Sequence, residues 1–224
     1  MLKDNRVRII TGHYGSGKTE FAVNYAIKLA EANKNVMIAD LDVVNPYFRS
    51  REKEEFLIDK GIRVTGSNLK GMAADVPAIS GEVLTPLQNE DYEAILDVGG
   101  DPVGARTLGR YHKYFEEGKY DMFFVINANR PETQTKEKVI EYLKNIEFQS
   151  RAKVTGLINN THLLRGTTVE DVLRGQKLCK EVSEELNIPI KYISCLENIA
   201  KELPEDLEGE IFPIKMYMRE EWMS

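Results

Sequence analysis

Gly12-His13-Tyr14-Gly15-Ser16-Gly17-Lys18-Thr19 spells G-x-x-x-x-G-K-[ST], a spacing in which each residue type has a chemical task. Glycines let successive backbone N–H groups converge on phosphate oxygens with no Cβ in the way. A helix starting behind them adds donors and about half a positive charge. Lys18 would then bridge the β- and γ-phosphates of a nucleoside triphosphate, and the Thr19 hydroxyl would ligate Mg²⁺. Glu20 follows as the next residue of the same cradle. The bland alternative is a glycine-rich turn with a surface lysine.

A magnesium ion at that place needs a carboxylate from a neighbouring strand. Ala94-Ile95-Leu96-Asp97 supplies an apolar run ending in an acid. Asp97 also opens Asp97-Val98-Gly99-Gly100, a D-x-x-G arrangement in which the Gly100 N–H would meet the γ-phosphate and report hydrolysis to the next loop. Asp40-Leu41-Asp42 sets two carboxylates at i and i+2, on one face of an extended segment. Beside a metal, such an acid orients or deprotonates the attacking water. Asp42 is assigned to that water and, with Thr19 and Asp97, to the metal. Asp40 supports the metal, so Lys18, Asp40 and Asp42 are the catalytic candidates. A turn-forming Asp before Asn45-Pro46, and a plain strand end at Asp97, are the structural alternatives. Base choice follows from hydrogen-bond chemistry. Guanine's two donors suit a carboxylate, and neither Asn127-Ala128-Asn129-Arg130 nor Asn159-Asn160-Thr161-His162 offers one. Amides suit adenine, so ATP is the expected nucleotide.

These residues must be held by alternating elements. Seven short apolar runs read as strands: Val7–Thr11, Val36–Ala39, Ile62–Thr65, Ala94–Val98, Met122–Asn127, Val154–Asn159 and Ile190–Ser194. Helical periodicity covers Lys18–Asn33, Arg51–Lys60, Val103–Glu117, Thr133–Phe148 and Thr168–Leu186, and Pro77 suits the first turn of another helix. The alternation predicts parallel βαβ units in a three-layer α/β/α domain spanning residues 1–224, with about seven strands in a mostly parallel sheet. Gly66–Gly81 reads as a long loop of the kind that carries function. The tail alternates Ile214, Met216 and Met218 as an edge strand would. A membrane-surface helix is the sharper alternative there, and the offset of Lys215 and Arg219 by Glu220 and Glu221 argues against it.

The 224 residues carry 30 Lys+Arg against 36 Asp+Glu, a net charge of −6, which argues against bulk attraction to nucleic acid. With 42% hydrophobic residues the chain lies well outside the disordered regime. No run approaches the ~18 apolar residues of a membrane span. Met1 to Arg8 has no apolar stretch typical of a secretory leader, so a cytoplasmic location is expected. Cys179 and Cys195 have no spacing that builds a disulfide framework or metal site, and both are expected as buried thiols.

Taken together, GHYGSGKT, ADLDVVNPYF, ILDVGGD, INANRPET and GLINNTH resemble the P-loop ATPases of the septum-site and chromosome-partitioning type, MinD and ParA. Their wider class, the SIMIBI class, includes nitrogenase iron proteins and the cobyrinate and dethiobiotin synthetases. The resemblance covers about residues 6 to 200. It implies a P-loop NTPase fold, ATP with Mg²⁺, and hydrolysis coupled to movement of loops that a protein partner reads. It also implies that Asn160, in Gly156-Leu157-Ile158-Asn159-Asn160, contacts adenine, and that Asn127 is structural. One departure is plain. The partitioning ATPases carry a second lysine just after the first glycine of the loop, which reaches across a homodimer, and this chain has His13 there. Arg106 and Arg110 are candidate replacements, or else solvent-facing partners of nearby Glu. Tyr47 and Phe48 suit either a partner surface or the core. Three functions fit: an ATPase that switches Asp40–Arg51 and Asp97–Arg110 for a partner, an ATP-dependent ligase or phosphoryl-transfer enzyme with an acceptor at Gly66–Gly81, and a nucleotide-binding scaffold with little turnover.

Overall fold

In the computed structural model, residues 1–41, 53–66 and 81–218 are described. Asp42, Tyr47, Phe48, Pro77 and residues 67–80 lie outside them. Eight strands alternate with helices: β1 (Val7–Gly12), α1 (Lys18–Glu31), β2 (Val36–Asp40), α2 (Glu54–Asp59), β3 (Ile62–Gly66), α3 (Thr85–Gln88), β4 (Glu93–Asp97), α4 (Pro102–Gly109), β5 (Tyr120–Ile126), α5 (Lys136–Ser150), β6 (Gly156–Asn159), α6 (Val169–Leu186), β7 (Ile190–Leu196), α7 (Glu197–Ala200) and β8 (Glu210–Ile214). They form one sheet in the order β3-β2-β4-β1-β5-β6-β7-β8, and every pairing is parallel. That is one strand more than the seven core runs of the sequence. The alternating tail joins the sheet only as far as Ile214.

Strands β1, β2, β5 and β6 are buried at every position, as expected where helices cover both faces of a sheet. On one face Ile10, Ile38, Ile95, Phe123 and Val125 pack under Phe21, Ala22 and Tyr25 of α1. On the other, Ile9, Leu96, Met122 and Phe124 meet Val139 and Leu143 of α5 and Cys179 and Val182 of α6. Both cysteines are buried free thiols. The crossovers reverse about β1: the chain builds β2, β3 and β4 on one side of it, then β5 to β8 on the other. Ligands of open α/β sheets bind at such a reversal, beyond the carboxyl ends of the strands.

A buried polar cluster ties the start of the chain to this sheet. Arg8, only 1% exposed, donates from Nε to the Tyr25 hydroxyl (3.0 Å) and from Nη1 to Glu93 (2.5 Å). The Tyr25 hydroxyl donates to Asp4 at 2.6 Å, and the Tyr192 hydroxyl donates to the same carboxylate oxygen. Burial alone would raise the Asp4 pKa. The two phenols and nearby positive charges outweigh it and hold the carboxyl below its ordinary value.

Helix α4 ends at Gly109, earlier than the expected Val103–Glu117. There the backbone passes so close to α5 that an added Cβ would lie 2.7 Å from the Gln149 carbonyl. Helix α6 starts in a reciprocal capping box between Thr168 and Asp171. Among the described residues no helix is long and apolar enough to cross a membrane.

Candidate functional site

Between β1 and α1 the loop folds on itself through Ser16 N–H to the His13 carbonyl, 3.1 Å. Gly17 enters the helix in the left-handed conformation, φ 85, and α1 carries no side-chain cap. Lys18 is 6% exposed, and its Nζ donates to the His13 carbonyl at 3.2 Å, so the cation lies back over the loop it follows. The backbone after β4 comes down on the same spot. A Cβ built on Gly100 would sit 2.2 Å from the Gly12 carbonyl oxygen and 2.8 Å from Lys18 Nζ. The D-x-x-G glycine and the loop lysine are therefore immediate neighbours.

Behind them, Asp40 and Asp97 are register partners across β2 and β4, and Asp97 also pairs with Ile10 of β1. Strand alternation puts Asp40 with Val36 and Ile38, and Asp97 with Ile95, on the face that α1 covers. The two are 4% and 1% exposed. Two buried carboxyl groups on adjacent strands form an oxygen-rich spot suited to a cation. Carboxylates on that face, together with the Thr19 hydroxyl at the start of α1, are the hard oxygen donors that Mg²⁺ takes alongside substrate phosphates. The residues present thus fit the ion. Asp42, at i+2 from Asp40, lies outside the described residues.

Towards β6 the loop is held by Asn160. Its Nδ2 donates to the Ser16 carbonyl at 2.7 Å, while its Oδ1 is buried with no hydrogen-bond partner among the described residues. Asn160 is thus a strut of the loop as well as an acceptor beside it. Asn127 is fully buried, and its Oδ1 accepts from the Asn129 and His162 amides, bonds that shape the adjoining turns. A cavity of about 300 Å³ runs from Tyr14, Lys18 and Thr19 past Asn160 and His162 to a wall of Leu196, Ile214, Met216 and Met218. Its size is at the lower end of small-molecule pockets.

The structure gives the surroundings of four more residues named from the sequence. Glu20, placed in the phosphate cradle by sequence, is tied to the tail: its carboxylate accepts from the backbone N–H of Tyr217 (2.6 Å) and Met218 (3.2 Å). His13 turns to α5. Its ring stands edge-on to Tyr142, centroids 4.9 Å apart, and its Nδ1–H donates to the Tyr14 carbonyl at 2.9 Å. Burial, aided by the charge of Asp101, pushes the Tyr142 phenol up to about 12, so it stays neutral beside the ring. Arg106 and Arg110 are exposed. The guanidinium set against the loop belongs instead to Arg130, whose Nε donates to the Gly15 carbonyl at 3.0 Å and which lines the cavity. Its only sequence signal is its place in Asn127-Ala128-Asn129-Arg130, at the end of β5.

No protein-family model matches the sequence, and no curated protein matches it. Solved structures do. The FtsY protein of Mycoplasma mycoides superposes with a TM-score of 0.56 at 24% identity, over 86% of this chain and 61% of that one. Cell division protein FtsY of Thermotoga maritima gives 0.57 at 21% identity, over 88% and 64%. A nucleotide-binding protein of Archaeoglobus fulgidus, solved in complex with ADP, gives 0.52 at 15% identity, over 89% and 86%. The chain spans less than two thirds of the length of these FtsY proteins. What it shares with all three is the α/β fold, a parallel sheet flanked by helices.

Proposed function

We propose that this chain is a Mg²⁺-dependent ATPase of MinD/ParA-like type, acting in the cytoplasm, in which ATP turnover resets loops that a protein partner engages. The observation that carries this is the convergence of Lys18, Gly100 and the Gly12–His13 backbone at one point, with Asp40 and Asp97 in register on the α1 face. Loop amides and Lys18 would hold the β- and γ-phosphates. Thr19 and Asp97, with Asp42, would hold Mg²⁺, which when bound neutralises charge on the phosphate oxygens. Water attacks the γ-phosphorus, the bond to the bridging oxygen breaks with its electron pair leaving on ADP, and the water's proton passes to a carboxylate of Asp40-Leu41-Asp42. The segment that follows Asp97 rests on the loop through Gly100, so a change in the terminal phosphate is felt by α4, which begins five residues after Asp97.

One feature favours ATP over GTP. Among the described residues the only acid lining the cavity is Glu20, which is occupied with the tail amides. The ligase alternative has its acceptor stretch, 67–80, outside the described residues. Titration calorimetry with ATP and Mg²⁺ tests the assignment. Lys18→Ala should weaken binding by about hundredfold, the upper range for one charge-assisted partner. Unchanged affinity would refute the phosphate site.

A further inference from the structure

We propose that the strap from Ile214 to Met218 is the wall against which the adenine base packs, and that Glu20 and Asn24 of α1 are positioning residues that hold this wall beside the phosphate site. The proposal rests on the ATP reading above and adds the base element to it.

Beyond Ile214, which still pairs with Leu196 of β7, the strap is fastened by two side chains of α1. Asn24 is buried and pairs both ways with the peptide of Lys215: its Nδ2 donates to the Lys215 carbonyl at 2.8 Å, and the Lys215 N–H donates to its Oδ1 at 2.8 Å. One turn earlier, Glu20 takes the amides of Tyr217 and Met218. The spacing works because four residues of helix advance about 6 Å and two residues of extended chain about 6.6 Å, so i and i+4 on α1 match alternate residues of the strap. With 215 and 217 turned to the helix anchors, Ile214, Met216 and Met218 are all left lining the cavity.

The chemistry of that lining suits a flat, neutral heteroaromatic ring. Thioethers are polarisable and adapt to a π face. Leu196 and Cys195 of β7 line the same cavity, and burial pushes the Cys195 thiol up to about 11, which keeps it uncharged at neutral pH. Polar atoms enter at the loop end, where Asn160 Oδ1 is a buried acceptor of the kind that an exocyclic amine would meet. Glu20 directly follows Thr19, so the residue that anchors the wall sits in the helical turn that begins at the phosphate loop. Displacing the strap should therefore harm recognition of the base and spare recognition of the phosphates.

Binding of ATP and of inorganic tripolyphosphate, both with Mg²⁺, separates the two. In the whole protein, Met216→Ala and Asn24→Ala should each weaken ATP by about tenfold, the scale of a partly lost side-chain burial, and change tripolyphosphate by less than about twofold. Met216→Leu keeps the volume and should restore ATP affinity to within about twofold. Equal losses for both ligands, or unchanged ATP affinity in both variants, would overturn the strap's role. So would wild-type protein that binds tripolyphosphate as tightly as ATP. A wild-type protein that binds neither ligand would bring down the ATP reading itself.

Discussion

Adding one methyl group at Gly100 tests the convergence on which the proposed phosphate site depends. The φ of Gly100 lies outside the left-handed region, so alanine costs nothing in backbone conformation and the effect is steric alone. The new Cβ would meet two backbone atoms, the Gly12 carbonyl oxygen at 2.2 Å and the His13 carbonyl carbon at 2.9 Å, as well as Lys18 Nζ at 2.8 Å. The lysine can swing away. The loop backbone has no such free end, and reaching ordinary contact at 3.4 Å requires the two segments to part by about 1.2 Å. Overpacking of this kind costs 1–3 kcal/mol, and with main chain on both sides about 3 kcal/mol is expected. If the loop yields, that strain is relieved in a geometry unable to hold phosphates, and ATP affinity falls by about hundredfold with the melting temperature little changed. If the loop holds, the strain remains in the fold, and a domain of this size melts about 6–12 °C lower. Calorimetric ATP titration and thermal unfolding, run on the same Gly100→Ala protein, must show one loss or a division between them. A variant that melts within about 2 °C of wild type and binds ATP within about twofold would refute the close approach of the D-x-x-G segment to the loop.

Asp97→Asn keeps the shape and removes the charge beside Asp40, so it should weaken ATP binding with Mg²⁺ by about tenfold or more and leave Mg²⁺-free binding within about twofold; equal loss in both conditions would make Asp97 a structural residue. Asp4 has a folded pKa held below its ordinary 3.8 despite burial, through its bonds from Tyr192 and Tyr25. Its contribution to stability is complete above pH 4 and is lost as the pH falls through the folded value. Urea unfolding from pH 7 to pH 2 should therefore show Asp4→Asn less stable than wild type at neutral pH, with the gap closing in acid. A gap that stays constant would detach Asp4 from the acid response.

What could be read from the chain was local. The P-loop octapeptide, the acid at the end of β4 and the glycine three residues on are each contained in one short segment, and hydrophobic runs marked the strands that carry them. Helix α4 was overextended because its end depends on the distance to α5 at Gly109, a contact between residues 40 apart in sequence. The apolar end of the cavity was illegible for the same reason. Leu196, Ile214, Met216 and Met218 belong to no motif, and only the fold brings them to Asn160. Arg130 was passed over in favour of Arg106 and Arg110 because nothing local distinguishes a guanidinium that turns toward Gly15 from one that faces water. Glu20 adjoins Thr19 and lines the cavity with it, but its link to the tail was illegible because Tyr217 and Met218 lie almost 200 residues further along the chain.

The last strand has a bearing on how two molecules could associate. β8 forms one border of the sheet, is five residues long and contains Pro213, which lacks an N–H. Just past it, Lys215 has its peptide groups committed to Asn24. A second molecule seeking to prolong the hydrogen-bonded array along this margin would find a short template with a missing donor, and then a chain already turned away. Self-association by sheet extension is thereby discouraged on that side, and any homodimer would be better served by surfaces of helices or loops.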